Sequence, residues 1–380
     1  MAKRVSLLVF VGAGGPSEPE RMVANVQEAI ALDTIERSLG RDWCEEVIVS
    51  TASPAFARRL QELPVIVEMD SGDFHFGRQL AGLIERHRVE RAFYVGGGSG
   101  ALLTQDEFDG IARMALGNDN IVISNNFFST DFAAFAPAAA VGRFAPPAID
   151  NNLAWLLHYE AGLRSEPLAR TPGTQLDVDT PTDLMMLQVH PLVGPHALAA
   201  LRSLDLDLSR LRAAMRFITD RTAEITVAGR VGSHVWARLE TDLACRKRIY
   251  AEERGMRASG REESGQVHSL LGCYLQAVGP ERFFATLAAS SQAIFMDSRV
   301  IFHHLRLNLG AADRFWSDLL RPEEMAEPTA RAFTAAAREA GVPVLLGGHS
   351  LVSGGLLVLI DCAWRHHDAT AAREEAGGEG

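Results

Sequence analysis

The segment Gln175-Leu176-Asp177-Val178-Asp179-Thr180-Pro181-Thr182-Asp183-Leu184 holds the densest chemistry in the chain. Side chains alternate along an extended backbone, so Asp177 and Asp179 share one side. There they can hold a hard cation such as Mg2+, which takes oxygen ligands and substrate phosphates. Thr180-Pro181 then opens a helix, with Asp183 in the first turn where negative charge suits the helix dipole. A purely structural account makes Thr180 the N-cap and Asp183 its capping-box partner, with one upstream aspartate in use.

Three further stretches carry candidate ligand contacts. Val9-Phe10-Val11-Gly12-Ala13-Gly14-Gly15, with Arg21-Met22 beyond, ends an apolar run in glycines that let backbone N–H groups approach a phosphate or a base. Pro16 interrupts the G-x-G-x-x-G pattern and Ser17 stands where its third glycine belongs, so a tight strand-to-helix turn explains these residues equally well. In Tyr94-Val95-Gly96-Gly97-Gly98-Ser99-Gly100, the glycine density costs more entropy than an ordinary turn warrants, which points to a ligand at Gly97, Gly98 and Ser99. Ser124-Asn125-Asn126-Phe127-Phe128-Ser129-Thr130-Asp131 offers amides that can donate to and accept from a base or sugar, and a carboxylate able to join a metal shell. An Asx- and Ser-rich turn is the alternative there.

In this order the features resemble the MobA-like nucleotidyltransferases of the GT-A-like fold, the group that includes molybdenum-cofactor and phospholactate guanylyltransferases. That family has a glycine loop of the kind A-G-G-x-G-x-R-M, a central G-D-x-P-L-L-T and a late D-x-D-T-P-x-D-L. Gly14-Gly15 with Arg21-Met22, Gly98-Ser99-Gly100-Ala101-Leu102-Leu103-Thr104, and Asp177 through Leu184 look like those motifs, over about residues 5–185. The resemblance implies an NTP donor, a small phosphorylated or hydroxyl acceptor, pyrophosphate release and Mg2+ on Asp177 and Asp179. With it, Gly12, Gly14, Gly15, Arg21, Gly97, Gly98 and Ser99 are expected around the nucleotide and Asp177 and Asp179 in catalysis, while Asn125, Asn126 and Asp131, read from the residues themselves, are expected to replace groups that the family pattern has and this chain lacks. The chain is a divergent member in this reading. Ser99 stands where the family has an aspartate, Ala101 replaces a proline, and no lysine follows Arg21-Met22. A catalytically degenerate nucleotide- or sugar-nucleotide-binding protein with a regulatory or assembly role is therefore the competing expectation. A glycosyltransferase using Asp177 and Asp179 as its D-x-D pair fits less well, because that pair belongs in the middle of the nucleotide domain.

Short apolar runs at Val5–Val11, 46–50, 65–68, Ala92–Val95 and Ile121–Ser124 alternate with helical stretches at 22–39, 54–62, 76–87 and Gln105–Leu116. This predicts an α/β domain, a mainly parallel sheet flanked by helices in the GT-A or Rossmann manner, with ligands at the carboxyl edge. Thr104 and Glu107 form a capping-box pattern before the last of these helices. The stretch from Ser129 to Pro147 reads as a loop or an excursion beside that edge. Beyond Thr182, apolar residues recur at helical spacing through 184–187, 196–204, 208–219 and 235–250, so a mainly α-helical domain is expected. The expected division is residues 1–190, 191–367 and a disordered tail at 368–380 that has no large apolar residue. Val342–Leu346 is strand-like, and Gly347-Gly348-His349-Ser350 reads as close helix packing or a minor anion site. Arg257 and Arg261, in the loop-like stretch 255–261, could clamp a phosphorylated acceptor; a solvated mixed-charge face is the plainer account.

The 380 residues carry a net charge of −11, and only Lys3 and Lys247 among the 37 basic residues are lysines. The acidic balance argues against a nucleic-acid partner, which requires a concentrated basic face. The four cysteines are scattered, which fits the cytoplasm, and no apolar run is long enough for a membrane span. The helical half is expected to shape the acceptor site or to form a homo-oligomer.

Overall fold

The computed structural model describes residues 4–70 and 72–377. The chain divides into two compact units. One takes in residues up to Gly15 with Ala24–Asp177 and Leu192–Leu201; the other takes in Pro16–Val23, Val178–Pro191 and residues from Arg202 onward.

The first unit is built on β1 (Val5–Val11), β2 (Cys44–Thr51), β3 (Ile66–Met69), β4 (Ala92–Gly96), β5 (Ile121–Ser124), β6 (Phe132–Ala136) and β7 (Arg164–Pro167). The sheet order is β3-β2-β1-β4-β6-β5-β7. Every pairing is parallel except those made by β6, which runs antiparallel between β4 and β5. β1 shows why the runs are mostly apolar: Val5, Leu7, Val9 and Val11 enter one core with Trp43 and Phe108, while Leu8 and Phe10 enter the other with Phe76 and Tyr94, and the one polar residue, Ser6, donates to Glu46 at 3.1 Å. A strand covered on both faces has no position left for a polar alternation. The helices expected between strands are present at Glu18–Ser38, Pro54–Arg59, Phe76–Arg86 and Gln105–Leu116, the last opened by the Thr104–Glu107 capping box. The stretch expected to be a loop contains β6 instead. Its Phe-Ala-Ala-Phe-Ala run has weak strand propensity, and burial of all five residues between two neighbours overrides it.

The second unit is rich in helices, as expected, and these cover a four-stranded parallel sheet. β8 (Glu224–Gly229), β9 (Arg246–Ala251), β10 (Ala293–Asp297) and β11 (Val344–Gly347) pair in the order β11-β10-β8-β9. Only β11 is evident from the sequence. β9 was expected to continue the helix through Tyr250; the exposed Arg246 and Arg248 hide an edge strand, where basic residues discourage further pairing. The helix Gly354–Gly377 runs through the stretch 368–377 that was expected to be disordered. Ala, Glu and Arg are strong helix formers, and the buried part upstream removes the cost of nucleation. Residues 378–380 lie outside the described residues. Among the described residues no helix is long and apolar enough to cross a membrane.

The first unit regains the chain at Leu192–Leu201 through one carboxylate. Asp33, 7% exposed, accepts hydrogen bonds from the backbone N–H groups of His196 and Ala197, both at 2.9 Å, and so caps the helix Pro195–Arg202. A Cβ on Gly194 would lie 2.4 Å from the Asp33 Cγ. Asp33→Ala therefore removes two charge-assisted bonds and is expected to cost about 1–3 kcal/mol. Gly194→Ala, which displaces the same carboxylate, should lower the urea midpoint by far-UV circular dichroism in the same direction. Unchanged midpoints in both variants would show that this cap contributes nothing.

Candidate functional site

Strand order reverses between β1 and β4. The chain leaves β1 toward β2 and β3 on one side and takes up β4, β6, β5 and β7 on the other, so the loops after β1 and β4 part and leave an opening at their carboxyl ends. Gly12 follows β1 at this edge, and Gly97, Gly98 and Ser99 follow β4. Because β6 runs the opposite way, Asp131 just before it and Asn125 just after β5 come to the same edge.

Sequence-predicted residues of the first unit meet here. Ser99 Oγ lies 3.0 Å from Asp177 Oδ1 and 3.1 Å from the Asp131 carbonyl, and its single hydrogen serves one of them at a time. Ser99 and Asp177 also pair as an isolated antiparallel bridge. The Asp131 carboxylate accepts from Asn125 Nδ2 at 2.6 Å, and Asn125 Oδ1 accepts from the Asp131 and Phe132 N–H groups at 2.9 and 3.2 Å. Gln175 Nε2 donates to the Asn125 carbonyl at 3.1 Å. Both ends of the Asn125 amide are thus committed to positioning Asp131, and Asn126 Oδ1 accepts from the Phe128 N–H at 3.2 Å within the turn.

Several glycines of the second cluster are required sterically. A Cβ on Gly97 would stand 3.3 Å from the Phe10 carbonyl, and one on Gly96 would stand 3.1 Å from Ser99 Oγ. Gly100 has φ +67, a conformation costly for a residue with a Cβ. The cluster therefore exists partly to bring the β4 turn close to β1 and to seat Ser99. Gly12 is exposed, with nothing within 4 Å of where its Cβ would be. Gly14 is exposed and Gly15 half-buried.

Asp150 and Tyr94 were missed by sequence reasoning, although Tyr94 is the lone polar side chain in Ala92–Val95 and, buried, calls for a partner. The Tyr94 hydroxyl donates to Asp150 Oδ2 at 2.7 Å. Burial, then Asp150, with Asp131 and Asp177 further off, raise the Tyr94 phenol well above its ordinary value. One buried phenol thus senses three carboxylates, which makes this edge locally electronegative. Its oxygen donors, Asp177, Asp131 and Ser99, suit a hard cation completed by substrate oxygens. Among the described residues no group of three or more His, Cys, Asp or Glu is arranged to hold a metal by itself.

Asp179 and Arg21 belong to the second unit. Arg21 donates to the Pro16 carbonyl. Asp179 is exposed, and its N–H donates to Asp183 Oδ2 at 3.0 Å. Asp183 completes the capping box with Thr180, and that same oxygen accepts from the Thr180 N–H and Oγ1 at 2.8 and 2.9 Å. Its other oxygen is buried without a hydrogen-bond partner. Burial, followed by the Asp179 charge, raises Asp183 to about 7.

No family model matches the sequence, and no curated protein matches it. Solved structures with a similar arrangement include a cytidylyltransferase from Leptospira borgpetersenii, 14% identical, over 49% of this chain and 86% of that one, with a TM-score of 0.38. A CMP:2-keto-3-deoxy-manno-octonic acid synthetase complexed with CTP is 14% identical over 53% of this chain and all of that one, at 0.37. Rv0371c from Mycobacterium tuberculosis H37Rv, in complex with manganese, is 16% identical over 48% of this chain and 96% of that one, at 0.33.

The Asp183 environment predicts a pH dependence. Its folded-state pKa lies above the ordinary carboxylate value, so the native state binds the proton more tightly than the unfolded chain does. This contribution is full at low pH and is lost as pH rises through about 4 to about 7. Asp183→Asn keeps an acceptor for the cap and removes the titration. Urea midpoints measured from about pH 5 to about pH 7.5 should fall less steeply in the variant; equal slopes would rule the effect out.

Proposed function

We propose that the first unit is the nucleotide-handling part of a nucleotidyltransferase, which moves a nucleoside monophosphate from an NTP to a small phosphorylated or hydroxyl acceptor. The observation that carries this reading is the meeting of Ser99, Asp131 and Asp177 beside the β4 glycine turn, where the strand order reverses. The acceptor oxygen attacks the α-phosphorus, the bond to the bridging oxygen breaks, and the electron pair departs with pyrophosphate. The turns Gly12–Gly15 and Gly97–Gly98 bring backbone close to the triphosphate, and the arrangement of motifs supports that placement. Ser99 holds Asp177 in register, and Asn125 holds Asp131, so both carboxylates are oriented before substrate arrives. A divalent cation, Mg2+ in the resemblance, would be held by Asp177 with Asp131 and would neutralise phosphate charge. Four unpaired cysteines accord with placement in the reducing cytoplasm.

The second reading is a nucleotide binder without turnover. It is favoured by Ser99 in the family's aspartate position and by the lack of a three-residue metal cage among the described residues. One set of assays separates the two. The protein is incubated with each NTP, Mg2+ or Mn2+, and a panel of phosphorylated sugars and hydroxy acids, and pyrophosphate is followed. The enzyme reading expects release in at least one combination, and a drop of roughly 100-fold or more in kcat/KM for Asp177→Asn with an unchanged melting temperature. No release anywhere, together with an NTP-dependent rise in melting temperature, selects the binder. Neither release nor stabilisation defeats both.

A further inference from the structure

The two sheets end in β3 and β7 and in β9 and β11, and all but β3 are closed to further pairing. β7 carries Arg164 and Glu166, joined at 2.5 Å, and ends in Pro167, which has no N–H to offer. β9 carries Arg246, Lys247 and Arg248. β11 is buried along its whole length. Charge, proline and cover are the means by which an edge is kept from joining another chain. β3 has no proline and no basic residue, and among the described residues its only strand neighbour is β2. The run Val65-Ile66-Val67-Glu68-Met69, bounded by Pro64 and Asp70, is apolar except for Glu68, with Ile66 36% and Met69 46% exposed. Glu68 is occupied within its own chain: its carboxylate lies 3.3 Å from Arg86 Nη2 and 2.8 Å from His87 Nε2.

The backbone of β3 fixes how a further strand can be added. Along a strand, alternate residues turn both N–H and C=O toward the same neighbour. The Asp70 N–H donates to the Thr51 carbonyl of β2 at 2.9 Å, so Glu68 and Ile66 also face β2, and Val67 and Met69 turn their backbone groups outward. Side chains alternate as well. Val65 and Val67 pack on the core that holds Val49 and Leu60, and Met69 lies on that same face.

An antiparallel copy of β3 with Val67 on a two-fold axis satisfies both alternations. Val67 and its copy exchange main-chain hydrogen bonds, and Val65 stands opposite Met69 of the second copy, which makes one face an unbroken apolar row beside the core. Ile66 stands opposite Glu68 of the second copy. Centring the pair on Glu68 would set like charges directly opposite each other, which is destabilising. Centring it on Ile66 would set Met69 opposite Leu63, where the chain already turns and the Leu63 carbonyl accepts from the Val65 N–H at 2.8 Å.

We infer that the outer edge of β3 is an interface with a second copy of this chain, paired antiparallel about a two-fold axis through Val67, so that two seven-stranded sheets continue into one. Such an interface uses the same strand on both sides and consumes the exposed edge, so assembly stops at the dimer. The pairing is independent of nucleotidyl transfer.

The test is sedimentation velocity of the full chain from about 1 to about 100 µM, joined to oxidative cross-linking of cysteine variants. The variants are built on Cys273→Ser, which removes the exposed native thiol. A dimer whose share grows with concentration is expected. Val67→Cys should form an interchain disulfide, because directly opposed residues lie about 5.5 Å apart. Ile66→Cys should not, because its two copies are displaced diagonally by about 7–8 Å. Met69→Lys places a charge opposite Val65 of the second copy and should raise the dissociation constant about tenfold or more. Met69 is partly exposed in the single chain, so this variant should melt as the parent does at concentrations where both are monomers. A chain that is monomeric throughout overturns the pairing and leaves the edge to a strand of another protein. A dimer that Met69→Lys leaves intact, or one in which Val67→Cys cross-links no better than Ile66→Cys, also overturns it.

Discussion

A parallel sheet can be extended to either side of its first strand, and the point where the chain changes sides decides where its loops part. Each crossover helix covers one face, so a change of side places consecutive helices on opposite faces, and the loops that begin them diverge. The loops after β1 and β4 border the gap at the carboxyl ends, and both glycine clusters lie in them. Insertion of β6 in the reverse direction adds a second consequence. Chain entering β6 and chain leaving β5 reach the same edge, and they carry Asp131 and Asn125 to it.

The resulting site is organised by hydroxyl and amide groups that hold carboxylates in place. Ser99 and Asp177 meet across a single bridge, and Tyr94 engages Asp150 from beneath. Anions brought together in this way repel one another unless donors or a cation intervene. Ser99, Asn125 and Tyr94 supply such donors in the protein itself. An aspartate in the position of Ser99 would add charge to this edge and remove the hydroxyl that joins Asp177 to the β4 turn. Ser99 thus contributes positioning without charge.

Legibility in the sequence followed burial pattern. β1, β4, β5 and the Thr104-capped helix could be read because apolar runs ended in glycine or a capping residue. β6 could not, because Phe132–Ala136 is buried by its neighbours and carries little intrinsic preference. β8 and β10 are short apolar runs embedded between helical periodicities, and such runs are ambiguous between strand and buried helix. Residue types singled out Ser99, Asp131 and Asp177, and Ser99 bonds to the Asp131 carbonyl and to Asp177. The work of Asn125 was different from the contact expected, since its amide is spent on Asp131. Asp150 was invisible because its role depends on a tyrosine remote in sequence.

The composition carries less information about partners than its net charge of −11 implies. Coulomb interactions act over roughly 10 Å in physiological salt, so a ligand responds to the groups around its site and not to the sum over the chain. The edge of the first sheet gathers Asp131, Asp150 and Asp177 around one phenol. Almost exclusive use of arginine for positive charge suits such local pairing, because a guanidinium can satisfy one carboxylate through two nitrogens, as Arg230 does with Asp297.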